Sequence, residues 1–143
     1  RYPIAANHLQ AKFSLPAALA MIALNRQAGK VEFSDEFVAS KAMQDMQRRI
    51  RTEFDEAIEA QGFDKMRSRI TLRLKSGKEV SGWADERYRG GPENPLSDEE
   101  VEQKVRSCCN GVLGDRAQTD LIATVWKIQE LDDVSALAEK LNG

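Results

Sequence analysis

The segment from Leu15 to Leu24, LPAALAMIAL, constrains the fold more than any other part of this chain, because its residues are apolar on every side of a helix. Ser14 precedes the segment and can accept a hydrogen bond from a free amide of the first turn, and Pro16 lies where its missing N–H costs nothing. The sequence therefore predicts a helix from Leu15 to Leu24. Since this helix has no polar stripe, we expect it to be covered on nearly every side.

Periodic patterns continue after this helix. The residues Ser34-Asp35-Glu36 can start a short helical turn, and apolar side chains recur at helical spacing between Ala42 and Ile50. From Arg49 to Asp55 apolar and charged residues alternate, which predicts a half-buried strand. The polar connection from Ala57 to Lys65 has room for another helical turn.

The strongest strand pattern lies in the middle of the chain. Polar and apolar residues alternate between Arg69 and Lys75, which places Ile70, Leu72 and Leu74 on one face. Ser76-Gly77 supplies a tight turn, and Glu79 to Ala84 is predicted to return as the antiparallel partner with Val80 on the core side. We expect a small antiparallel sheet backed by helices.

Helical signals dominate after residues 88–95, a segment whose glycines and prolines cannot continue either regular structure. Ser97 and Glu100 form a capping-box pattern at the start of a helix with one apolar stripe. That stripe contains Val101, Val105, Cys108, Cys109 and Val112. Asp115 is predicted to cap the next helix, and Asp132 or Asp133 the last. These helices can bury only one face against one another, so we expect them to need a further partner surface.

These elements together predict an α+β fold, in which a small antiparallel sheet packs with helices and is followed by C-terminal helices. The predicted domains are an α/β domain at residues 1–88, a linker at residues 89–94 and a helical segment at residues 95–143. The sequence begins at Arg1, and its first residues are typical of a mid-chain loop, so we expect a fragment of a longer protein.

Charge and composition exclude several classes of partner. The formal net charge is −2 with 31% charged residues, so no long-range field favours nucleic acid or an anionic membrane surface. No apolar run reaches the roughly 18 residues that a membrane span requires, and no signal segment opens the chain. We therefore predict a soluble protein without nucleic-acid or membrane partners.

Cys108 and Cys109 are the only cysteines and are adjacent, so a bridge between them would close a strained ring. Reduced thiols are the simpler interpretation, which predicts a cytoplasmic location. A nucleophilic cysteine would need a nearby histidine, whereas cysteines on the apolar stripe of a helix are predicted to lie in the core. The sequence has no cysteine and histidine spacing for zinc, no phosphate-binding glycine loop and no acidic calcium loop, and it predicts no metal site.

His8 and Lys12 are the candidate functional residues before the apolar helix. His8 is the only histidine, and the unperturbed pKa of histidine, about 6.5, suits proton transfer. Lys12 offers a cation to a substrate carboxylate. The alternatives are a loop histidine without a chemical role, because the sequence shows no positioned partner, and a lysine whose stem covers apolar surface.

Short motifs recur along the chain in an order that resembles a known family. They are Ala-Lys-Phe-Ser-Leu-Pro at residues 11–16, Ser34-Asp35-Glu36, Lys75-Ser76-Gly77-Lys78 and Asn94-Pro95-Leu96-Ser97. In this order they are similar to the C-terminal portion of the MmgE/PrpD family of carboxylic-acid dehydratases, decarboxylases and epimerases. The resemblance covers essentially the whole chain but only part of a family member.

The resemblance implies a large helical domain and a smaller α/β lid, with this chain supplying the later part of the lid and the return to the helical domain. It implies a cofactor-independent lyase or isomerase, similar to 2-methylcitrate dehydratase, cis-aconitate decarboxylase or iminodisuccinate epimerase. The substrate would be a small di- or tricarboxylic acid, and the full-length protein a homodimer. Because the family's bases lie on earlier segments, we expect the fragment alone to be inactive.

Ala17 is the one cleft position that the resemblance marks in this chain. Family members usually carry a tyrosine here, pointing from the lid into the cleft. Alanine has neither a hydroxyl nor a ring, so Ala17 cannot make the hydrogen bond of that tyrosine. Two interpretations stay open, which are a different substrate pocket and a non-catalytic member or interaction module that retains the lid fold.

Overall fold

The computed structural model describes residues 2–141, and the chain divides into two compact units, Arg1–Asp55 and Glu56–Gly143. Helices and a two-stranded antiparallel sheet make up the described residues, so the predicted α+β class is confirmed. The predicted linker at residues 89–94 lies within the second unit. The predicted domain limits at residues 88 and 95 stay a prediction.

The first unit contains four described helices, each preceded by a side chain that caps it. They are α1 (His8–Lys12), α2 (Leu15–Asn25), α3 (Asp35–Ala39) and α4 (Lys41–Gln47), with caps from Asn7, Ser14, Ser34 and Ser40. Ser14 Oγ accepts a hydrogen bond of 3.1 Å from the backbone N–H of Ala17. The predicted helix start at Ser14 and the predicted turn at Ser34 are therefore confirmed.

The core of the first unit is built from small and flexible side chains. Its buried members are Ala5, Ala11, Ala17, Ala20, Met21, Val38 and Met43. Alanines let neighbouring backbones approach closely, and methionines fill the remaining gaps. The expectation that α2 is covered on nearly every side is wrong for the described residues, because Leu15 is 59% and Ile22 47% exposed. Helices α1 and α4 pack on α2 and leave these side chains open.

The predicted strand from Arg49 to Asp55 is wrong. Residues 50–55 have no regular structure, and Phe54 is 73% exposed. A strand needs hydrogen bonds to a neighbouring strand, and no described residue pairs with this segment in a sheet. The alternation of residues in this segment therefore has the period of a strand, but among the described residues the segment has no strand to pair with.

The second unit begins with α5 (Glu56–Glu59) and a β-hairpin formed by β1 (Arg69–Arg73) and β2 (Glu79–Trp83). Leu72 lies opposite Val80 in the register, and Gly77 adopts φ 84° in the turn, a conformation that glycine tolerates. The predicted hairpin and the predicted turn after Ala57 are confirmed. The expectation that Val80 faces a core is wrong, because the described residues leave all of β1 and β2 exposed.

After residue 97 the described part of the second unit is mainly helical, as predicted. Its helices are α6 (Asp98–Cys109), α7 (Asp115–Trp126) and α8 (Ser135–Glu139), with a 3₁₀ turn at Ile128–Glu130. The capping box of Ser97 and Glu100 is present. Asp115 is the first residue of α7 rather than its cap, which is Gly114. The prediction that the cysteines lie in a core is wrong, because Cys108 is exposed and Cys109 only half-buried.

Among residues 2–141, no helix combines the length and the apolar character that crossing a membrane requires.

Candidate functional site

His8 lies at the first position of α1 and is bonded to Asp35, the first residue of α3. The backbone N–H of His8 donates to Asp35 Oδ1 at 2.7 Å, and the ring atom Nδ1 lies 2.8 Å from the same oxygen. The side chains are partly open to solvent, 49% for His8 and 65% for Asp35. The structure thus supplies the positioned partner that the sequence did not reveal.

The charge state of Asp35 determines which ring nitrogen of His8 carries the proton. The hydrogen bond from the His8 backbone N–H, followed by the bond from its ring, lowers the pKa of Asp35 below its ordinary value. The carboxylate is therefore ionised at neutral pH and only accepts hydrogen bonds. Nδ1 must donate the proton that it shares with Asp35, so in the neutral ring Nε2 carries a lone pair. In the described part of the chain, no group bonds to Nε2.

Lys12 ends the same short helix, four residues after His8. Residues at this spacing are neighbours on one helix face, with about 5–6 Å between their Cβ atoms. Lys12 is exposed, and its side chain forms neither an ion pair nor a hydrogen bond with another of the described residues. α1 therefore carries both an imidazole and an ammonium group.

Ala17 occupies a different environment from the other two candidates. It is fully buried in the core of the first unit, with 0% of its surface exposed. His8 and Lys12 are thus both exposed on α1, whereas Ala17 is buried on α2. The roles of His8, Lys12 and Ala17 in a substrate cleft stay predictions.

The sequence did not indicate Asp35 as the partner of His8. The sequence placed it correctly at the start of a helical turn, next to Ser34. It lies 27 residues from His8, however, and no short-range spacing connects the two residues. A pairing that depends on how α1 and α3 pack has no local signal in a single sequence.

The second unit contains a separate cavity of about 270 Å³. Phe63, Met66 and Tyr88 contribute to its wall, together with charged residues. The cations at the cavity already have partners, since Lys65 Nζ lies 3.3 Å from Glu86 and Arg87 pairs with Asp85 at 3.0 Å. This cavity therefore offers no unpaired cation to a carboxylate ligand. Within residues 2–141, no group of histidine, cysteine, aspartate and glutamate side chains has the arrangement of a metal site.

A comparison with curated proteins found no match for this sequence. The model of the MmgE/PrpD C-terminal domain matches residues 3–129, which is most of the chain and includes α1 to α7. The chain therefore belongs to the MmgE/PrpD family and corresponds to its C-terminal domain.

Proposed function

We propose that this chain is the C-terminal portion of a cofactor-independent lyase or isomerase that acts on a small di- or tricarboxylic acid. The reaction is dehydration, decarboxylation or epimerisation through proton abstraction next to a carboxylate. The observation that carries the proposal is the match to the MmgE/PrpD C-terminal domain over residues 3–129. Such chemistry requires a positioned base, cations for the substrate carboxylates and exclusion of water.

The described residues supply some of these groups and not others. His8 is bonded to Asp35 through its ring, and Lys12 on the same helix carries a cation. Both lie on an exposed surface, so water exclusion must come from elsewhere in the whole protein. We therefore expect the 143-residue chain alone to be inactive, because half a cleft does not hold the reacting atoms in place.

Turnover measurements test this proposal. The whole protein that carries this sequence is incubated with 2-methylcitrate, cis-aconitate and iminodisuccinate, and products are followed by proton NMR and by release of carbon dioxide. We expect turnover of at least one acid by the whole protein and none by the 143-residue chain. Turnover by the 143-residue chain would contradict the expectation that it is inactive alone. If the whole protein reacts with none of the acids, the proposed lyase or isomerase activity is wrong.

A non-catalytic member of the family, which retains the lid as an interaction module, is the second candidate. The alanine at position 17 favours it, because the tyrosine usual at this position is missing. Ala17→Tyr in the whole protein separates the two candidates: a strong rise in turnover indicates chemistry lost with the tyrosine, whereas loss of existing turnover indicates a different pocket. Ala17 is buried, so each measurement needs a parallel determination of folding.

The proposal extends to the assembly and the location of the whole protein. We propose a homodimer, by similarity to the family, which sedimentation velocity tests directly. We also propose a cytoplasmic location, because a bridge between the adjacent Cys108 and Cys109 would be strained and cytosolic proteins keep their cysteines reduced.

A further inference from the structure

We propose that the cavity of about 270 Å³ in the second unit binds a small organic ammonium ion. Phe63 and Tyr88 contact the apolar body of this ion, and Glu93 neutralises its charge. The inference goes beyond the proposed function, because the cavity is separate from the candidate residues of the first unit, and its test does not depend on turnover.

Two segments of the chain form this cavity, and Arg67 ties them together. The lining residues come from residues 63–66 and from residues 86–93. The guanidinium of Arg67, whose side chain is only 13% exposed, donates to Asp64 at 2.9 Å and to Glu86 at 3.0 Å. The two segments are therefore held against each other without a ligand, as is usual for small-molecule sites.

The ring of Tyr88 lies against the backbone of Gly91 in the second segment. A Cβ atom added at Gly91 would come within 2.6 Å of Cε2 and 2.8 Å of Cζ of Tyr88, so only glycine leaves room for the ring in this position. Hydrogen bonds close the loop that carries both residues, from the Gly91 N–H to the Tyr88 carbonyl at 3.0 Å and from the Gly90 N–H to the Asn94 carbonyl at 2.8 Å. The loop itself therefore places the ring at the cavity.

Aromatic surface at the cavity is open to a ligand. Phe63 is 88% and Tyr88 60% exposed, and both residues line the cavity. A ligand that covers these rings removes apolar area from water. The face of an aromatic ring also attracts an ammonium group that lies within about 6 Å of the ring centre. The two rings therefore favour a cation with an apolar body over a neutral ligand of the same shape.

Glu93 supplies the negative charge that such a cation requires. Five charged residues line the cavity, and the other four are in ion pairs, which join Asp64 with Arg67, Lys65 with Glu86, and Arg87 with Asp85. The side chain of Glu93 forms no hydrogen bond or ion pair with any other residue that the structure describes. Asp85 and, to a smaller extent, Glu93 raise the pKa of Arg87. Because Asp85 already balances the charge of Arg87, Glu93 leaves the cavity with an uncompensated negative charge.

The size of the cavity limits the ligand to a few heavy atoms. Its volume of about 270 Å³ is just below the range of about 300–1,000 Å³ that is typical of sites for drug-sized ligands. Choline, which carries a quaternary ammonium group, is a probe of suitable size. Neohexyl alcohol is its matched control, because a carbon atom replaces the nitrogen and the molecule keeps the shape of choline without the charge.

Binding of the two probes to the whole protein tests the inference, with dissociation constants measured by saturation-transfer NMR. We expect choline to bind in the millimolar range and neohexyl alcohol about 10-fold more weakly. Glu93→Gln should weaken the binding of choline by about 3-fold and leave the alcohol unaffected, because it removes only the charge. Tyr88→Leu should weaken choline by about 3-fold more than the alcohol, since leucine keeps apolar surface but has no ring to attract the cation.

Gly91→Ala should have the same effect as Tyr88→Leu, because the added methyl group displaces the Tyr88 ring. Two matched controls should bind both probes as the wild type does: Gly82→Ala, where an added Cβ meets nothing within 4 Å, and Glu53→Gln, at an exposed position of the first unit. Thermal unfolding verifies that each variant is folded. The inference is wrong if the wild type does not bind choline, if it binds the two probes equally, or if Glu93→Gln binds choline as tightly as the wild type. None of these results bears on turnover of an acid.

Discussion

The side-chain oxygen of Gln47 accepts a hydrogen bond of 2.7 Å from the backbone N–H of Ala5, and both residues are buried. This bond ties the chain before α1 to the end of α4, across 42 positions of sequence. The carbonyl of Ala5 accepts from the side-chain amides of both Gln47, at 3.3 Å, and Gln44, at 2.8 Å. The N–H of Ala5, in contrast, donates to Gln47.

Gln47→Leu should therefore destabilise the first unit. The substitution keeps the volume but leaves the Ala5 N–H buried without an acceptor, which costs about 1–3 kcal/mol. Urea denaturation followed by circular dichroism measures the loss. Gln103→Leu, an exposed position on α6, is the matched control and should change stability little. Equal losses in both variants would show that the buried bond has no special role.

Glu32 makes the stability of the first unit depend on pH. Its carboxylate is buried and accepts from Gln27 Nε2 at 2.9 Å, Asn25 Nδ2 at 3.2 Å and the Gly29 N–H at 2.9 Å. These bonds, that of Gln27 first, hold the pKa of Glu32 below its ordinary value of 4.5 although burial acts in the opposite direction.

Because the folded pKa of Glu32 is lowered, its contribution to stability is present above pH 4.5 and is lost as the pH falls through the folded value. Glu32→Gln should thus destabilise the chain at pH 7, and the difference from wild type should shrink in strong acid. Urea midpoints between pH 7 and pH 2 measure this. Glu36→Gln, at an exposed position, serves as the control, and a difference that does not change with pH would contradict the assignment.

Ala17→Tyr should destabilise the first unit because Ala17 is enclosed by the core. Adding a ring to a packed interior costs about 1–3 kcal/mol. Ala23→Tyr places the same side chain on the same helix at an exposed position and should be nearly neutral. Differential scanning calorimetry of both variants compares their stabilities. If Ala17→Tyr is as stable as Ala23→Tyr, the core has room for the ring, and the turnover comparison at this position needs no correction for folding.

Arg89 controls the ionisation of Glu100 at the start of α6. Its guanidinium pairs with the Glu100 carboxylate, which also accepts from the Ser97 N–H at 2.8 Å, and these bonds lower the pKa of Glu100 to about 2. Arg89→Met should raise the pKa of Glu100 toward 4.5 without restoring it fully, because the capping bond remains. NMR titration of the Glu100 side chain measures the change. Arg116→Met, an exposed arginine on α7, should leave this titration unchanged.

Local signals predicted the elements that need no distant partner. The cap of Ser14, the capping box of Ser97 and Glu100 and the hairpin turn at Gly77 each depend on residues only a few positions apart, and all are present. These features arise from side-chain oxygens and backbone freedom within one turn, which a single sequence displays directly.

The predictions that the structure contradicts concern contacts between residues that are distant in the sequence. The alternation at residues 50–55 matches a strand, but pairing depends on a neighbour that the sequence does not specify. The apolar composition of α2 predicted coverage on nearly every side, whereas Leu15 and Ile22 are exposed. For the candidate site, His8 and Lys12 could be selected by residue type, but Asp35 depended on the packing of α1 against α3.

The open apolar face of the hairpin affects the colloidal behaviour of the isolated chain. Ile70, Leu72, Leu74 and Val80 are all exposed on it, and each strand has one unpaired edge among the described residues. Such edges are templates for sheet growth between copies, and Lys75 and Lys78 beside the turn oppose this through like-charge repulsion. That repulsion reaches about 10 Å at 0.1 M salt but only about 3 Å at 1 M. Concentrated salt should therefore convert a dispersed preparation into β-rich aggregates.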